Sequence, residues 1–197
     1  KNKKLICEEY RLNPDLPLFA FIGRFAGEKG ADMLPDIVKR CILETDGALN
    51  IMVLGSGNLY LEHTLKELRN EFHINFAMDL GYKEDLSHKI YAGADFLLMP
   101  SRVEPCGLNQ MYSMRYGTIP IVRYTGGLKD TVTDISSGGY GINFTFPGVD
   151  DAVHAIKRAL YLYEDQEEMK NLRETVMNLD FSWEKSAENY LTLYGKK

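Results

Sequence analysis

Short apolar runs alternate with stretches of helical hydrophobic period along most of the chain, and that alternation restricts it to a parallel sheet wrapped by helices. The first run, Leu18-Phe19-Ala20-Phe21-Ile22, is nearly continuous and stops at Gly23, the pattern of a strand buried on both faces. Met33, Leu34, Ile37, Val38, Cys41 and Ile42 then recur at helical spacing, which predicts an amphipathic helix over 30–44. Further strands are expected at 50–54, more weakly at 74–78, then at 95–99, 119–122 and 141–144. Helices are expected between them at 60–71, 85–92 and 107–116.

A parallel connection must travel back across the sheet before it pairs, so the expected fold is α/β: a Rossmann-like doubly wound parallel sheet with flanking helices. From Asp150 the pattern is wholly helical, with Val153, Ile156, Leu160 and Tyr163 on one stripe and two more helices reaching 193. One domain is expected over 1–197, with 150–197 as a helical tail. The 197 residues, 45% hydrophobic and 26% charged, suffice for one core.

Charge and cysteine usage narrow the functions. Lys and Arg number 23 against 28 Asp and Glu, a formal charge of -5, which opposes broad attraction to nucleic acid or an anionic membrane. An anionic ligand therefore needs a local basic pocket. Cys7, Cys41 and Cys106 form no C-x-x-C pair, and the four histidines lack metal-ligand spacing, so no metal site is expected and a cytoplasmic location fits. The opening Lys1-Asn2-Lys3-Lys4 lacks the apolar segment and cleavage site of a signal peptide, and no apolar run is long enough to span a membrane. A start on Lys1 rather than Met is what a piece of a longer protein would show.

Open α/β sheets bind ligands beyond the carboxyl ends of their strands, so the loops after each run carry the functional reading. Gly23-Arg24-Phe25-Ala26-Gly27-Glu28-Lys29-Gly30 places two cations in a glycine-rich turn leading into a helix. With helix-start amides, Arg24 and Lys29 can face one anion such as a diphosphate; two solvated surface cations are the equal alternative, since the P-loop pattern is absent. Gly55-Ser56-Gly57-Asn58 lacks a third glycine and reads as a tight turn. In Pro100-Ser101-Arg102-Val103-Glu104-Pro105-Cys106-Gly107-Leu108-Asn109-Gln110, Pro105 disfavours helical geometry at Glu104 and holds that carboxylate in an extended loop before a helix. Helix capping is the simpler role for such a Glu.

These motifs recur together in family order: Gly23-Arg24 with Lys29-Gly30, Gly81-Tyr82, Pro100-Ser101-Arg102 with Glu104-Pro105-Cys106-Gly107-Leu108, Tyr116-Gly117-Thr118, Thr125-Gly126-Gly127-Leu128 with Asp130-Thr131-Val132, and Asp180-Phe181-Ser182-Trp183. Over essentially its whole length the chain resembles bacterial glycogen synthase and plant starch synthase, retaining transferases of GT-B fold that use ADP-glucose.

The resemblance implies the C-terminal, donor-binding half of an enzyme that moves glucose from ADP-glucose to the non-reducing end of an α-1,4-glucan. Arg24 and Lys29 would clamp the diphosphate and Glu104 would contact glucose hydroxyls. The amides of Cys106, Gly107 and Leu108 would meet sugar and phosphates. Tyr82 would lie near adenine, although the residue alone reads equally as a tyrosine covering a helix start. Gly126 and Gly127 would bring N–H groups near the phosphates, with a plain turn as the alternative. Asn109 stands where many relatives carry Thr and keeps a donor for phosphate. Tyr112 replaces the second Glu of sucrose-synthase-type transferases. No histidine neighbours Cys106 in the motif, which argues against thiol catalysis.

The family's Lys-x-Gly-Gly donor loop is absent. The resemblance therefore implies that the glucan acceptor binds mainly to a missing N-terminal domain, that the helical tail packs toward that domain, and that this chain alone is inactive. No cofactor is expected beyond donor ADP-glucose and product ADP. The competing readings are a GT-B transferase or phosphorylase using another donor such as UDP-glucose, and a non-catalytic nucleotide-binding module.

Overall fold

The structure is a computed structural model that describes residues 1–195. Six strands, β1 (Leu18–Phe25), β2 (Asn50–Gly57), β3 (Phe76–Leu80), β4 (Phe96–Met99), β5 (Ile119–Arg123) and β6 (Ile142–Phe144), form one sheet. Every pairing is parallel, and the spatial order is β3-β2-β1-β4-β5-β6. This is the doubly wound arrangement expected from the alternation of runs. The continuous apolar runs are explained by burial on both sides: all four residues of β4 and the first four of β1 and β5 are buried.

The connecting helices are α2 (Leu34–Glu44), α3 (Leu59–Glu71), α4 (Glu84–Gly93), α5 (Asn109–Arg115) and α6 (Gly126–Thr131). They are preceded by α1 (Asn2–Tyr10) and followed by α7 (Val149–Glu164), α8 (Gln166–Met177) and α9 (Trp183–Gly195). α2 packs beside α3 and α7, while α4 packs beside α1 and α5, and α5 beside α8. The α2 stripe does what its spacing predicts, since Leu34, Ile37, Val38, Cys41 and Ile42 are all buried. Asn58 caps α3 by accepting from Tyr60 N and Leu61 N, and Asp165 caps α8 in the same way. Between β1 and β4 the rings of Phe19 and Phe96 stack at 4.8 Å near the amino ends of the two strands.

Several boundaries differ from expectation. β1 runs past Gly23 to Phe25, because Gly23 to Phe25 stay in register with Gly55 to Gly57 of β2. The helix expected from 30 begins at Leu34; Gly27–Lys29 and Ala31–Met33 are instead 3-10 turns hinged at Gly30. β3 lies two residues later than expected because Asn75 is tied by its side chain to the carbonyls of Gly47 and Leu49, leaving Ile74 exposed.

α1 was not expected at all. Its own pattern is weak, and tertiary contacts hold it: Ile6 and Cys7 are buried, and Lys3 reaches Asp95 at 2.7 Å and the Tyr163 hydroxyl at 2.9 Å. α9 buries none of its residues, and Trp183, Tyr190 and Tyr194 are exposed as the sequence suggested.

Candidate functional site

The strand order reverses between β1 and β4, so the loops after these two strands diverge and leave a crevice at their carboxyl ends. The first loop carries Arg24 and Lys29 and the second carries Glu104, which places the residues singled out from the sequence on opposite walls of one crevice. A cleft of about 560 Å³ opens there, within the ~300–1,000 Å³ typical of small-molecule sites.

The cleft lining comes from several loops and helices. Gly23, Arg24, Lys29, Gly55 and Ser56 lie in or after β1 and β2, Tyr82, Lys83, Glu84, Ser87, His88 and Tyr91 follow β3, and Asn109 and Tyr112 belong to α5. A smaller recess containing Ser101, Glu104 and Leu108 shares Ile22, Gly23, Lys29 and Asn109 with the cleft. Cys106, Gly107, Gly126 and Gly127 line neither space, although they sit in the loops that frame the recess.

Both cations are paired within the chain. Lys29 Nζ donates to Glu104 Oε2 at 2.6 Å, and Ser101 Oγ donates to the same oxygen at 3.2 Å. Glu104 is only 7% exposed, so this carboxylate depends on those partners. Arg24 pairs with Glu28, both of them exposed.

The two loops are also stitched through their backbones. Arg102 N and Val103 N donate to the Glu28 carbonyl, and the Arg102 guanidinium reaches the Gly27 carbonyl at 2.7 Å and Asp32 at 2.5 and 2.8 Å. That Arg102 fork holds the Asp32 carboxyl below the usual carboxylate range. Gly30 lets the loops meet: its φ is +67°, and a Cβ there would overlap the Pro100 carbonyl oxygen.

Three expectations about backbone donors change. Lys29 N and Gly30 N close the 3-10 turn onto Ala26 and Gly27, so they are not helix-start amides free for an anion. Gly127 N donates to the carbonyls of Glu104 and Pro105, so this glycine serves close packing of α6 on the Glu104 loop and its amide is already used. α5 starts at Asn109, which leaves Cys106, Gly107 and Leu108 in the irregular segment before it. Among the described residues none of those three amides donates to a protein acceptor; Cys106 and Leu108 are exposed, whereas Gly107 is buried.

Asn109 spends one amide N–H on the Ile22 carbonyl at 2.8 Å, tying α5 to β1 across the switch point before any ligand is considered. Tyr82 is 90% exposed at the cleft mouth. Cys106 is an exposed free thiol, whereas Cys7 and Cys41 are buried and burial pushes Cys7 up to about 11 and Cys41 to about 12.

Sequence reading missed part of the site. Glu84, Ser87, His88 and Tyr91 line the cleft from one face of α4, and their i, i+3, i+4, i+7 spacing was the available signal. His88 Nδ1 lies 3.1 Å from the Tyr116 hydroxyl, and the Tyr91 and Tyr116 rings stack at 6.3 Å. Burial pushes the Tyr91 hydroxyl well up, with Tyr112 and Tyr82 adding to it, so it stays protonated at neutral pH. Arg123, which braces the Glu104 loop from β5, carries no motif that marks it. Among the described residues no group of His, Cys, Asp and Glu is placed to hold a metal ion.

A parallel sheet in this order, with a cleft at the carboxyl ends of its strands lined by Arg24, Lys29 and several tyrosines, defines a doubly wound α/β domain with its candidate ligand site at the switch point. The model of the family glycosyl transferases group 1 matches residues 2–176, and the chain belongs to that family.

Its relatives bear out the resemblance read from the motifs. It is 49% identical over 194 residues to a glycogen synthase of Flavobacterium johnsoniae, covering 98% of this chain and 41% of that protein. Against a glycogen synthase of Fervidobacterium nodosum the identity is 42% over 198 residues, with 98% and 40% covered. The catalytic domain of starch synthase IV from Arabidopsis thaliana, solved bound to ADP and acarbose, superposes with a TM-score of 0.85 at 34% identity, over 98% of this chain and 41% of that one. The chain thus spans about two fifths of the length of these relatives.

Proposed function

We propose that this chain is the donor-binding half of an ADP-glucose-dependent glycogen synthase, and that transfer to an α-glucan requires a second half carrying most of the acceptor surface. The observation that carries the reading is that one cleft is lined both by Arg24 and Lys29 and by Tyr82, His88, Tyr91 and Tyr112. A diphosphate suits Arg24 and Lys29, and a flat base suits Tyr82, His88, Tyr91 and Tyr112. The starch synthase IV structure similar to this chain holds ADP.

In this reading Arg24 and Lys29 stabilise the charge that grows on the departing diphosphate, which is where preorganised cations lower a barrier most. Glu104 leaves Lys29 for hydroxyls of the transferred glucose and orients the sugar. The unpaired amides of Cys106, Gly107 and Leu108 serve sugar and phosphate oxygens, and Gly126 and Gly127 shape the wall behind them. No cofactor takes part. The exposed aromatics of α9 are surface for the second half. No helix among the described residues is long and apolar enough to cross a membrane, which is compatible with a cytoplasmic enzyme.

Calorimetry with ADP, UDP and inorganic pyrophosphate, on the chain and on an Arg24→Ala/Lys29→Ala variant, tests the reading. Preferential ADP binding that is lost in the variant is expected. Tighter UDP binding would assign another donor, and ADP binding that ignores the variant would remove the diphosphate site from this loop.

A further inference from the structure

Arg123 closes β5 beside the switch point, half-buried, with its guanidinium turned onto backbone rather than onto an acid. Nε donates to the Ser101 carbonyl at 2.6 Å, Nη2 donates to the Arg102 carbonyl, and Nη1 makes a long 3.5 Å contact with the Thr145 carbonyl. Among the described residues no carboxylate pairs with it. Burial, and to a lesser degree the neighbouring Arg102 cation, push its pKa down. A half-buried cation without a counter-ion gives up part of its hydration, and its hydrogen bonds must return that loss.

That return lies in the two carbonyls it grips. Holding Ser101 O and Arg102 O fixes two successive peptide planes three and two residues before Glu104. The same Ser101 sends its hydroxyl to Glu104 Oε2, and the same Arg102 sends its N–H and guanidinium to the β1 loop. The loop is therefore held from the β1 side by Arg102 and from the β5 side by Arg123, with Glu104 carried between them.

We infer that Arg123 is a positioning residue for the Glu104 loop, setting the carboxylate against the sugar by clamping the Ser101 and Arg102 carbonyls. This rests on the transferase reading above. A lysine reproduces the clamp only in part, because one ammonium on a flexible stem can donate to a carbonyl but lacks the planar fork that spans two adjacent ones.

The test is made in the full-length protein that carries this chain, comparing Arg123→Ala and Arg123→Lys by kcat, KM for ADP-glucose, ADP affinity and melting temperature. A displaced but intact Glu104 is expected to lower kcat about ten- to a hundredfold in Arg123→Ala, since small misplacements of reacting groups have effects of that order. KM and ADP affinity should stay within about twofold, because Arg24, Lys29 and the cleft are untouched, and Arg123→Lys should recover part of kcat. An unchanged kcat, or kcat and ADP affinity falling together, would overturn the inference. If Arg123→Ala does not fold, Arg123→Lys decides alone by the same split between kcat and KM. Absence of transfer in the unsubstituted protein, or ADP binding indifferent to Arg24→Ala/Lys29→Ala, would sink the transferase reading and the inference with it.

Discussion

Lys29 Nζ sits 2.6 Å from Glu104 Oε2, so the cation assigned to the diphosphate and the carboxylate assigned to the sugar hold each other across the switch point. The contact joins residues 75 positions apart and ties the two walls of the crevice together. Lys29 retains 28% side-chain exposure and Glu104 only 8%, which makes the carboxylate the partner that suffers when the pair opens.

Lys29→Met is expected to destabilise the chain by about 1–3 kcal/mol, because it strands a buried carboxylate. The double variant Lys29→Met/Glu104→Gln should recover part of that loss, a coupling that urea unfolding of the four members of the cycle measures. Glu104→Gln alone should bind ADP up to about tenfold more tightly, equivalent to about 1.4 kcal/mol, because it releases Lys29 to the diphosphate. Additive losses in the cycle, or weaker ADP binding by Glu104→Gln, would show that the pair does not compete with the ligand.

Glu28 stands in the same relation to Arg24, but in solvent. Their side chains are 49% and 71% exposed, so the pair contributes little to folding. Its consequence is for binding, since Glu28 places a negative charge where the proposed diphosphate must approach. Glu28→Gln is expected to tighten ADP binding about two- to fivefold at low salt, with the gain shrinking as ionic strength rises. A titration series in sodium chloride checks both the sign and the screening.

The sheet was legible because its central strands are buried on both faces and therefore appear as unbroken apolar runs, Phe96 to Met99 being the clearest. α1 was not, because its helix depends on Lys3 reaching Asp95 and Tyr163, partners more than ninety residues away along the chain. The Glu104 motif located the second wall, yet nothing local to it indicates that Lys29 is the partner of Glu104. The 3-10 turns after Phe25 escaped for a related reason: Gly30 is needed for contact with Pro100, a tertiary requirement, while the apolar spacing from Met33 suited a longer helix. The α4 face was visible in principle, but Glu84, Ser87, His88 and Tyr91 mix charge, hydroxyl and ring and so leave no apolar stripe.

Gly127 tests whether α6 shapes the Glu104 loop. Its amide donates to the Glu104 carbonyl at 3.0 Å, and a Cβ there would overlap the Cys106 carbonyl oxygen while lying 2.6 Å from Cys106 Cα. Gly127→Ala must push α6 away from the loop, with an expected loss of about 1–3 kcal/mol and reduced transfer in the full-length protein. Gly148→Ala, where a Cβ would meet nothing within 4 Å, is the control and should stay within about 0.5 kcal/mol of the parent. Equal melting temperatures for the two variants would remove the packing role assigned to Gly127.

Asp134 provides a stability element that is separate from the cleft and sensitive to acid. Burial pushes its carboxyl up, but donation from Arg158 at 2.7 Å, from Ser136 Oγ at 2.7 Å, and from the amides of Asn143 and Ser136 outweighs that and holds it at about 2. A carboxyl held below its ordinary value near 3.8 contributes fully above that value and loses the contribution as pH falls toward 2. The difference between the two values corresponds to about 2 kcal/mol. Asp134→Asn is therefore expected to be less stable than the parent at neutral pH and to lose about 2 kcal/mol less between pH 5 and pH 2, with ADP binding at neutral pH unaffected. Urea unfolding at stepped pH measures both slopes. Parallel slopes would mean that Asp134 is no more strongly held in the folded chain than in the unfolded one.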